Sequence, residues 1–286
     1  MNKKLLILLL TLAMAFVFAG CGSSGEEATD EGSGDQTQVL VFAAASMQSS
    51  LEELEAAFEA ENPDIDIVLN CDSSGTLMTQ IEEGAPCDVF FSAAQAQMDE
   101  LEGLGLVVDG TRQNVLNNQL VVVTYPDSGT KVKKLKNIGK AKSIALADGS
   151  VPVGKYTRQA LINLGILEAA DDPAAITTQE VSDALGGVEI SEQGNVSKVL
   201  EAVKEGSCEV GTVYLSDTYG QEGAVEILQK VPYKLTGNII YPIEQIVNQD
   251  ADEAETAAAA AVEEYFTNDA AKALYTEHLF DVENVD

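Results

Sequence analysis

Short apolar segments alternate with amphipathic segments along most of the chain, and this alternation restricts the fold more than any other feature. Residues 39–43 form an apolar run typical of a buried strand, and Leu51, Leu54 and Phe58 follow at helical spacing. The same succession recurs downstream, with strands predicted over 65–69, 89–91, 120–124, 144–147, 210–215 and 241–247 and helices over 77–81, 156–164, 199–203, 254–266 and 270–279. The alternation predicts an α/β fold with mainly parallel sheets covered by helices, in which ligands bind at the carboxyl ends of strands.

The first twenty residues predict a signal peptide. Lys3 and Lys4 precede an apolar run over residues 5–19, which is short for a membrane span and typical of the hydrophobic region of a signal peptide. The run ends in Phe18-Ala19-Gly20-Cys21, which resembles the lipobox of bacterial lipoproteins, although Phe18 replaces the usual leucine. We therefore expect Cys21 to carry the lipid. The alternative is an ordinary signal peptide followed by an incidental cysteine.

Residues 21–38 predict a lipidated cysteine followed by a flexible acidic linker. Residues 22–38 hold four Gly, three Ser and five carboxylates and no basic side chain. Seventeen residues of this composition span roughly 20 to 25 Å as a random coil. The remaining chain is therefore expected outside the cytoplasm, anchored to the cell membrane through its N-terminal lipid.

The charge of the chain excludes some classes of partner. Asp and Glu number 47 against 16 Lys and Arg, which gives a formal net charge of −31. Proteins that bind nucleic acid without sequence preference use Lys and Arg to displace counterions from phosphates, so we expect no nucleic-acid partner. A basic face for anionic lipid is excluded on the same ground.

The sequence offers little to a catalytic or metal site. After Cys21 the thiols are Cys71, Cys87 and Cys208, an odd number, and the predicted strands place the first two about a strand length apart, too far for a disulfide. His278 is the only histidine, and we expect it to be a surface or packing residue. A nucleophile with a histidine base, or a cysteine-rich metal site, therefore has no supporting spacing.

One segment imitates a phosphate-binding loop. Residues 149–156, GSVPVGKY, nearly match the P-loop pattern G-x-x-x-x-G-K-[ST] after a predicted strand. Tyr156 cannot replace the small hydroxyl that ligates magnesium, and Pro152 removes an amide donor. The surviving feature is a turn into a helix N-terminus, which favours anions.

Four predicted helix starts share this feature. Ser46 is expected to cap the helix after the first strand, and Ser74 lies at the start of the next helix. Pro152 in an early helical position leaves the Val153 amide free to donate, and the Val196 amide is free in the same way. Capping alone also explains any one of these positions.

Six segments occur in a characteristic order along the chain: VFAAAS (41–46), SSGTL (73–77), GAPCDVFFSA (84–93), LVVV (120–123), VPVG (151–154) and GTVYLSD (211–217). Together they resemble the periplasmic molybdate-binding proteins of ABC transporters, over nearly all of residues 39–286. The resemblance implies a two-lobed type II binding-protein fold with a hinge crossed twice. Lobe I would comprise residues 39–120 and 242–286, and lobe II residues 121–241.

The resemblance also implies the site and the activity. Ser46 and Ser74 would donate from lobe I, and the amides of Val153 and Val196 with the phenol of Tyr214 would donate from lobe II. Molybdenum would be held only as its oxyanion, with no protein atom bound to the metal and no cofactor. The expected partners are molybdate and a membrane permease, the chain is expected to be a monomer, and no enzyme activity is expected.

The sequence departs from the family pattern at several positions, and it leaves alternatives open. Cys87 stands where relatives commonly have Ala, Gly75 replaces a Ser found in some of them, and a longer stretch over 164–195 precedes Val196. The sequence does not separate molybdate from tungstate, and sulfate is a further alternative. An alternative function is that of an exported two-lobed hydrolase, although the sequence shows no nucleophile paired with a general base.

Overall fold

The computed structural model describes residues 36–285, which belong to one compact unit. The predicted signal peptide, Cys21 and most of the linker lie outside the described residues. The strands are β1 (Thr37–Ala44), β2 (Ile65–Asp72), β3 (Val89–Phe91), β4 (Gln113–Asn118), β5 (Leu120–Thr124), β6 (Ser143–Ala147), β7 (Glu189–Gln193), β8 (Val210–Tyr214), β9 (Glu226–Lys230) and β10 (Ile239–Gln245). The α-helices are α1 (Gln48–Glu61), α2 (Ser74–Glu82), α3 (Gln95–Leu104), α4 (Pro152–Asn163), α5 (Thr178–Ala184), α6 (Val196–Lys204), α7 (Tyr233–Thr236), α8 (Glu253–Thr267) and α9 (Asp269–Glu277).

Two five-stranded sheets form the scaffold. The first has the order β2-β1-β3-β10-β4 and the second the order β7-β6-β8-β5-β9. In the first sheet only β10 runs against its neighbours, and in the second only β5 does, so four strands of each sheet share one direction. The predicted two-lobed α/β fold is confirmed, with one antiparallel strand inserted in each sheet.

The chain passes between the two sheets twice. It leaves the first sheet after Asn118 and enters the second at Leu120, and it returns between Lys230 and Ile239. Leu120 pairs in the second sheet, so the first crossing comes one residue before the lobe boundary predicted from the sequence. Residues 239–241 pair in the first sheet, so the return comes three residues before the second predicted boundary. Each crossing is short, which places the ends of β4 and β10 close to the second sheet.

Packing of helices on the sheets follows the apolar pattern of the sequence. Every residue of β5 is buried, as expected of its Leu-Val-Val-Val-Thr sequence in the middle of a sheet. The apolar face of α6 packs on β8, where a Cβ at Gly211 would lie 2.8 Å from the Val203 side chain and 2.9 Å from that of Val199. Gly211 thus permits the close contact of helix and strand that brings the start of α6 to the end of β8.

The cysteines and the histidine lie in the packing of the lobes. Cys71, Cys87 and Cys208 carry free thiols, and burial raises the pKa of Cys71 to about 12. His278 is buried at the end of α9, where its ring is hydrogen-bonded to Ser49 and Glu53 of α1. Within residues 36–285, no helix is both long enough and apolar enough to cross a bilayer.

Candidate functional site

A small cavity lies where the carboxyl ends of strands from both sheets meet. Strand ends and helix starts of the two lobes contribute to its wall, so neither sheet could form it alone. All five residues predicted from the sequence as ligand donors are among its lining residues. Its lining residues are Ala44, Ala45, Ser46, Asp72, Ser73, Ser74, Ala93, Val151, Pro152, Val153, Val196 and Tyr214.

Ser74 is the first residue of α2 and offers a hydroxyl proton to the cavity. Ser73 caps the helix, because its side chain accepts a hydrogen bond from the amide of Thr76. The Ser74 Oγ accepts a hydrogen bond of 2.9 Å from the amide of Ala93. The lone pairs of Ser74 are thus partly used by the protein while its proton remains available.

Ser46 reaches the cavity from a different local structure than the one predicted. We expected it to cap α1, but it lies in a 3-10 turn over Ala45–Met47, and Met47 is the N-cap residue. The tight turn at the end of β1 completes one helical turn before the α-helix begins. The Ser46 Oγ lies 2.9 Å from the phenol oxygen of Tyr241, a buried residue of β10.

Tyr214 contributes the most unusual polar group of the cavity. Its side chain is 1% exposed, and its hydroxyl has no hydrogen-bond partner among the described residues. Burial raises the pKa of Tyr214 well above its ordinary value, so the phenol stays protonated and can donate. The ring is fixed by an edge contact with Tyr241, at 5.9 Å between centroids. A buried donor without a partner is costly, and the residue that carries this one lines the cavity.

Backbone amides from two helix starts complete the wall. Pro152 is the first residue of α4, so the Val153 amide belongs to the first turn and has no acceptor within the helix. Val196 is the first residue of α6, so its amide also has no acceptor within the helix. The Asn195 side chain accepts a hydrogen bond from the amide of Lys198, not from that of Val196. Both helix N-termini add partial positive charge at the cavity.

Contacts between the lobes close the cavity. The Asn195 Nδ2 donates to the Asp72 Oδ1 at 2.8 Å, joining the start of α6 to the end of β2. The lobes also approach closely at Gly75, where a Cβ would lie 2.7 Å from the carbonyl oxygen of Ser150. Sequence reasoning missed Asp72, although it directly precedes the Ser73 cap, because its partner is far away in the sequence.

The charges at the cavity are negative rather than positive. Asp72 is the only ionisable side chain besides Tyr214 among its lining residues, and no Lys or Arg is among them. Lys155 lies outside and pairs with Asp172 at 3.1 Å. Behind Tyr214, Asp217 accepts a hydrogen bond from the Tyr214 amide, and burial raises the pKa of Asp217 to about 7.

This arrangement can bind a ligand through hydrogen bonds. Its groups are hydroxyl and amide donors, which suit a ligand that presents acceptors on several sides.

Comparison with known proteins places these features in a family. The model of the bacterial extracellular solute-binding protein family matches residues 39–281. The molybdate-binding protein ModA of Escherichia coli (strain K12) is 32% identical, over 85% of this chain and 86% of ModA. The protein YvgL of Bacillus subtilis, provisionally named an ABC transporter substrate-binding lipoprotein, is 30% identical, with coverage of 85% and 86%.

A solved structure shares the fold. The periplasmic molybdate-binding protein of Azotobacter vinelandii superposes with a TM-score of 0.69, covering 86% of this chain and all of that one, at 20% identity. The shared architecture extends across both sheets, since the match covers most of the described residues.

Proposed function

The chain belongs to the bacterial extracellular solute-binding protein family, and we propose that it captures molybdate outside the cytoplasm and delivers it to the permease of an ABC transporter. The relatives named for molybdate binding support this choice of ligand. The protein acts as a monomer and without a cofactor, and molybdenum is held only through the oxygen atoms of its anion.

The buried, unpartnered hydroxyl of Tyr214 carries the proposal. It faces the same cavity as the Ser46 and Ser74 hydroxyls and the first-turn amides of Val153 and Val196. Donors on several sides fit a tetrahedral anion, whose oxygen atoms accept charge-assisted hydrogen bonds. A dianion can thus be bound by neutral groups, without a Lys or Arg.

Neutral donors also select among anions. An anion of the wrong size leaves a buried donor unpaired, and a protonated anion presents an O–H group to a wall composed mostly of donors. Both mismatches cost binding free energy, so we expect molybdate to bind more tightly than sulfate or phosphate. Tungstate has nearly the same shape and is expected to bind as well.

Capture and delivery follow from the division of the donors between lobes. Ser46 and Ser74 belong to the first lobe, and the other donors to the second, so the full set exists only when the lobes are together. Ligand binding therefore stabilises the closed form by a hinge motion. The permease recognises that form and accepts the anion. The protein catalyses no reaction, in contrast to the alternative of a two-lobed hydrolase.

The membrane anchor is part of the proposal. The lipobox-like sequence supports acylation of Cys21, and the acidic linker after it would separate the binding lobes from the membrane. Expression with a labelled fatty acid is expected to label the protein, and Cys21→Ser is expected to abolish the label. Secretion of an unlabelled wild-type protein would instead indicate an ordinary signal peptide.

Isothermal calorimetry with molybdate, tungstate, sulfate and phosphate tests the ligand. We expect one-to-one binding of molybdate and tungstate, and weaker binding in Ser46→Ala and Ser74→Ala. Preferential binding of sulfate would support a sulfate-binding protein with the same fold. Absence of heat with all four anions, from protein shown to be folded by circular dichroism, would overturn the proposal.

A further inference from the structure

A buried hydrogen-bond network connects the hinge to the candidate site. Asn118 is the last residue of β4, directly before the chain crosses to the second sheet. Its Nδ2 donates to the Ser216 Oγ of the second lobe at 2.8 Å and to the Tyr241 phenol oxygen at 3.1 Å. Tyr241 in turn contacts Ser46 at the cavity. The network therefore runs from the crossing segment to a predicted ligand-binding hydroxyl.

The direction of each hydrogen bond in this network is fixed by one backbone amide. The N–H of Gln119 donates to the Asn118 side chain at 2.8 Å, so the atom that receives it must be the oxygen. The other end of the amide group is then Nδ2, whose two protons are used by Ser216 and Tyr241.

The proton of Tyr241 has one remaining acceptor. Its phenol oxygen already receives the Asn118 Nδ2 proton, and burial raises the pKa of Tyr241 well above its ordinary value, so the phenol keeps its own proton. If Ser46 donated its proton to the Tyr241 oxygen, the phenol proton of Tyr241 would be buried without an acceptor, which is costly. Tyr241 therefore donates to the Ser46 Oγ.

We propose that Asn118 and Tyr241 are positioning residues that make Ser46 an obligatory donor toward the ligand. The Ser46 oxygen receives the Tyr241 proton, and no other hydrogen bond of the Ser46 side chain is present among the described residues, so the Ser46 proton finds an acceptor only in a ligand. If Ser46 instead accepted a ligand proton through its second lone pair, its own proton would stay unpaired, which is costly. The pair thus favours oxyanions that carry no proton over those that carry one. This inference rests on the proposed function and assigns part of its selectivity to two residues outside the cavity wall.

Tyr241→Phe tests the inference, since it removes the donor to Ser46 and leaves the aromatic ring. Tyr275→Phe is the matched control, because Tyr275 is also fully buried and also contacts Phe280 edge-on, while its hydroxyl donates to the Phe266 carbonyl. Binding of molybdate and of inorganic phosphate, which carries a proton near neutral pH, is measured by calorimetry and by competition.

In Tyr241→Phe the Ser46 hydroxyl becomes free to rotate, so it donates less well and can accept a proton. We expect molybdate affinity to fall about 2- to 12-fold, as for loss of one hydrogen bond, and phosphate affinity to rise or stay constant. The preference for molybdate over phosphate therefore falls in Tyr241→Phe and stays at the wild-type value in Tyr275→Phe. An equal loss of affinity for both anions would show a merely structural role and would overturn the inference.

A second variant works through the amide that fixes the direction. Asn118→Asp replaces the amide nitrogen that donates to the Tyr241 phenol oxygen by a carboxylate oxygen, which is an acceptor. Tyr241 then donates its proton to the carboxylate at position 118 and can accept a proton from Ser46. In that arrangement the lone pairs of Ser46 face the cavity. The preference for molybdate over phosphate should fall here as well, even if Tyr241→Phe does not fold. If the wild type binds neither anion, the proposed function itself fails; if it binds molybdate and both variants keep its preference, only the positioning role fails.

Discussion

Replacing Tyr214 by Phe removes one oxygen atom from the wall of the cavity and should weaken molybdate binding strongly. The hydroxyl is buried and makes no hydrogen bond within the described residues, so its loss breaks no protein contact. The edge contact of its ring with Tyr241 does not involve the hydroxyl and is kept. The variant thus isolates the interaction with the ligand from the packing of the lobes.

The size of the effect follows from the charge of the ligand. A hydrogen bond to a charged group contributes about 1.5 to 3 kcal/mol, so Kd should rise about 10- to 150-fold. At molybdate concentrations far above both Kd values, ligand-induced stabilisation falls by the same free energy. For a chain of this length that reduces the molybdate-induced rise in Tm by about 3 to 12 °C.

Calorimetry and thermal unfolding with and without molybdate measure these two quantities independently. Tyr275→Phe is the control, because it loses a hydroxyl that is bonded to the Phe266 carbonyl and does not belong to the cavity wall. We expect Tyr275→Phe to have a lower Tm but an unchanged molybdate Kd. An unchanged Kd in Tyr214→Phe would refute the argument that its unpartnered hydroxyl serves the ligand.

Three further predictions follow from the contacts and charges around the cavity. Gly75→Ala should weaken molybdate binding about 5- to 150-fold, as measured by calorimetry. The added Cβ would lie 2.7 Å from the Ser150 carbonyl oxygen, so the two lobes could not approach each other fully. Gly103→Ala is the control and should have no effect, because no atom lies within 4 Å of its added Cβ. Burial raises the pKa of Asp217 to about 7, so its carboxyl group is neutral below that pH and negatively charged above it, next to the Tyr214 amide. Molybdate affinity should therefore fall as the pH rises from about 6 to about 8. Asp217→Asn should remove this pH dependence of the affinity. Because the net charge is −31, neutral salt should speed association of molybdate in stopped-flow measurements, and rates that decrease with NaCl would contradict this.

The predictable part of the site is the part encoded locally. Ser74, Val153 and Val196 lie at strand-to-helix junctions, where Ser, Pro and Asn signal a helix start within a few residues. For Ser46 the sequence predicts the correct position, at the end of β1, but the wrong local structure. The same residue types are compatible with a 3-10 turn and with a capped α-helix start, so the sequence does not distinguish the two. Local signals therefore locate the residues that line the cavity but not always the backbone conformation around them.

The rest depends on residues that are distant in the sequence. Strand β4, Gln-Asn-Val-Leu-Asn-Asn, shows no strand alternation, and it forms because β10 pairs with it more than 120 residues later. The contacts of Asn118 with Ser216 and of Asp72 with Asn195 arise only when both lobes are assembled. The contact of Asn118 with Tyr241 arises only when β4 pairs with β10. The hinge network and the cross-lobe contact were for this reason invisible in the sequence pattern.

The negative charge of the chain and the absence of Lys and Arg from the cavity wall together determine how affinity can arise. At long range the net charge of −31 repels a dianion, and Asp72 adds a carboxylate to the cavity wall itself. Attraction must therefore come from donors at hydrogen-bond distance, and those of either lobe alone are an incomplete set. An open form would hold the anion weakly, since half of its oxygen atoms would face water instead of protein. Tight binding then requires closure, and the contacts that the closed lobes make at Gly75 and Asn195 should control the rate at which the anion leaves rather than the rate at which it arrives.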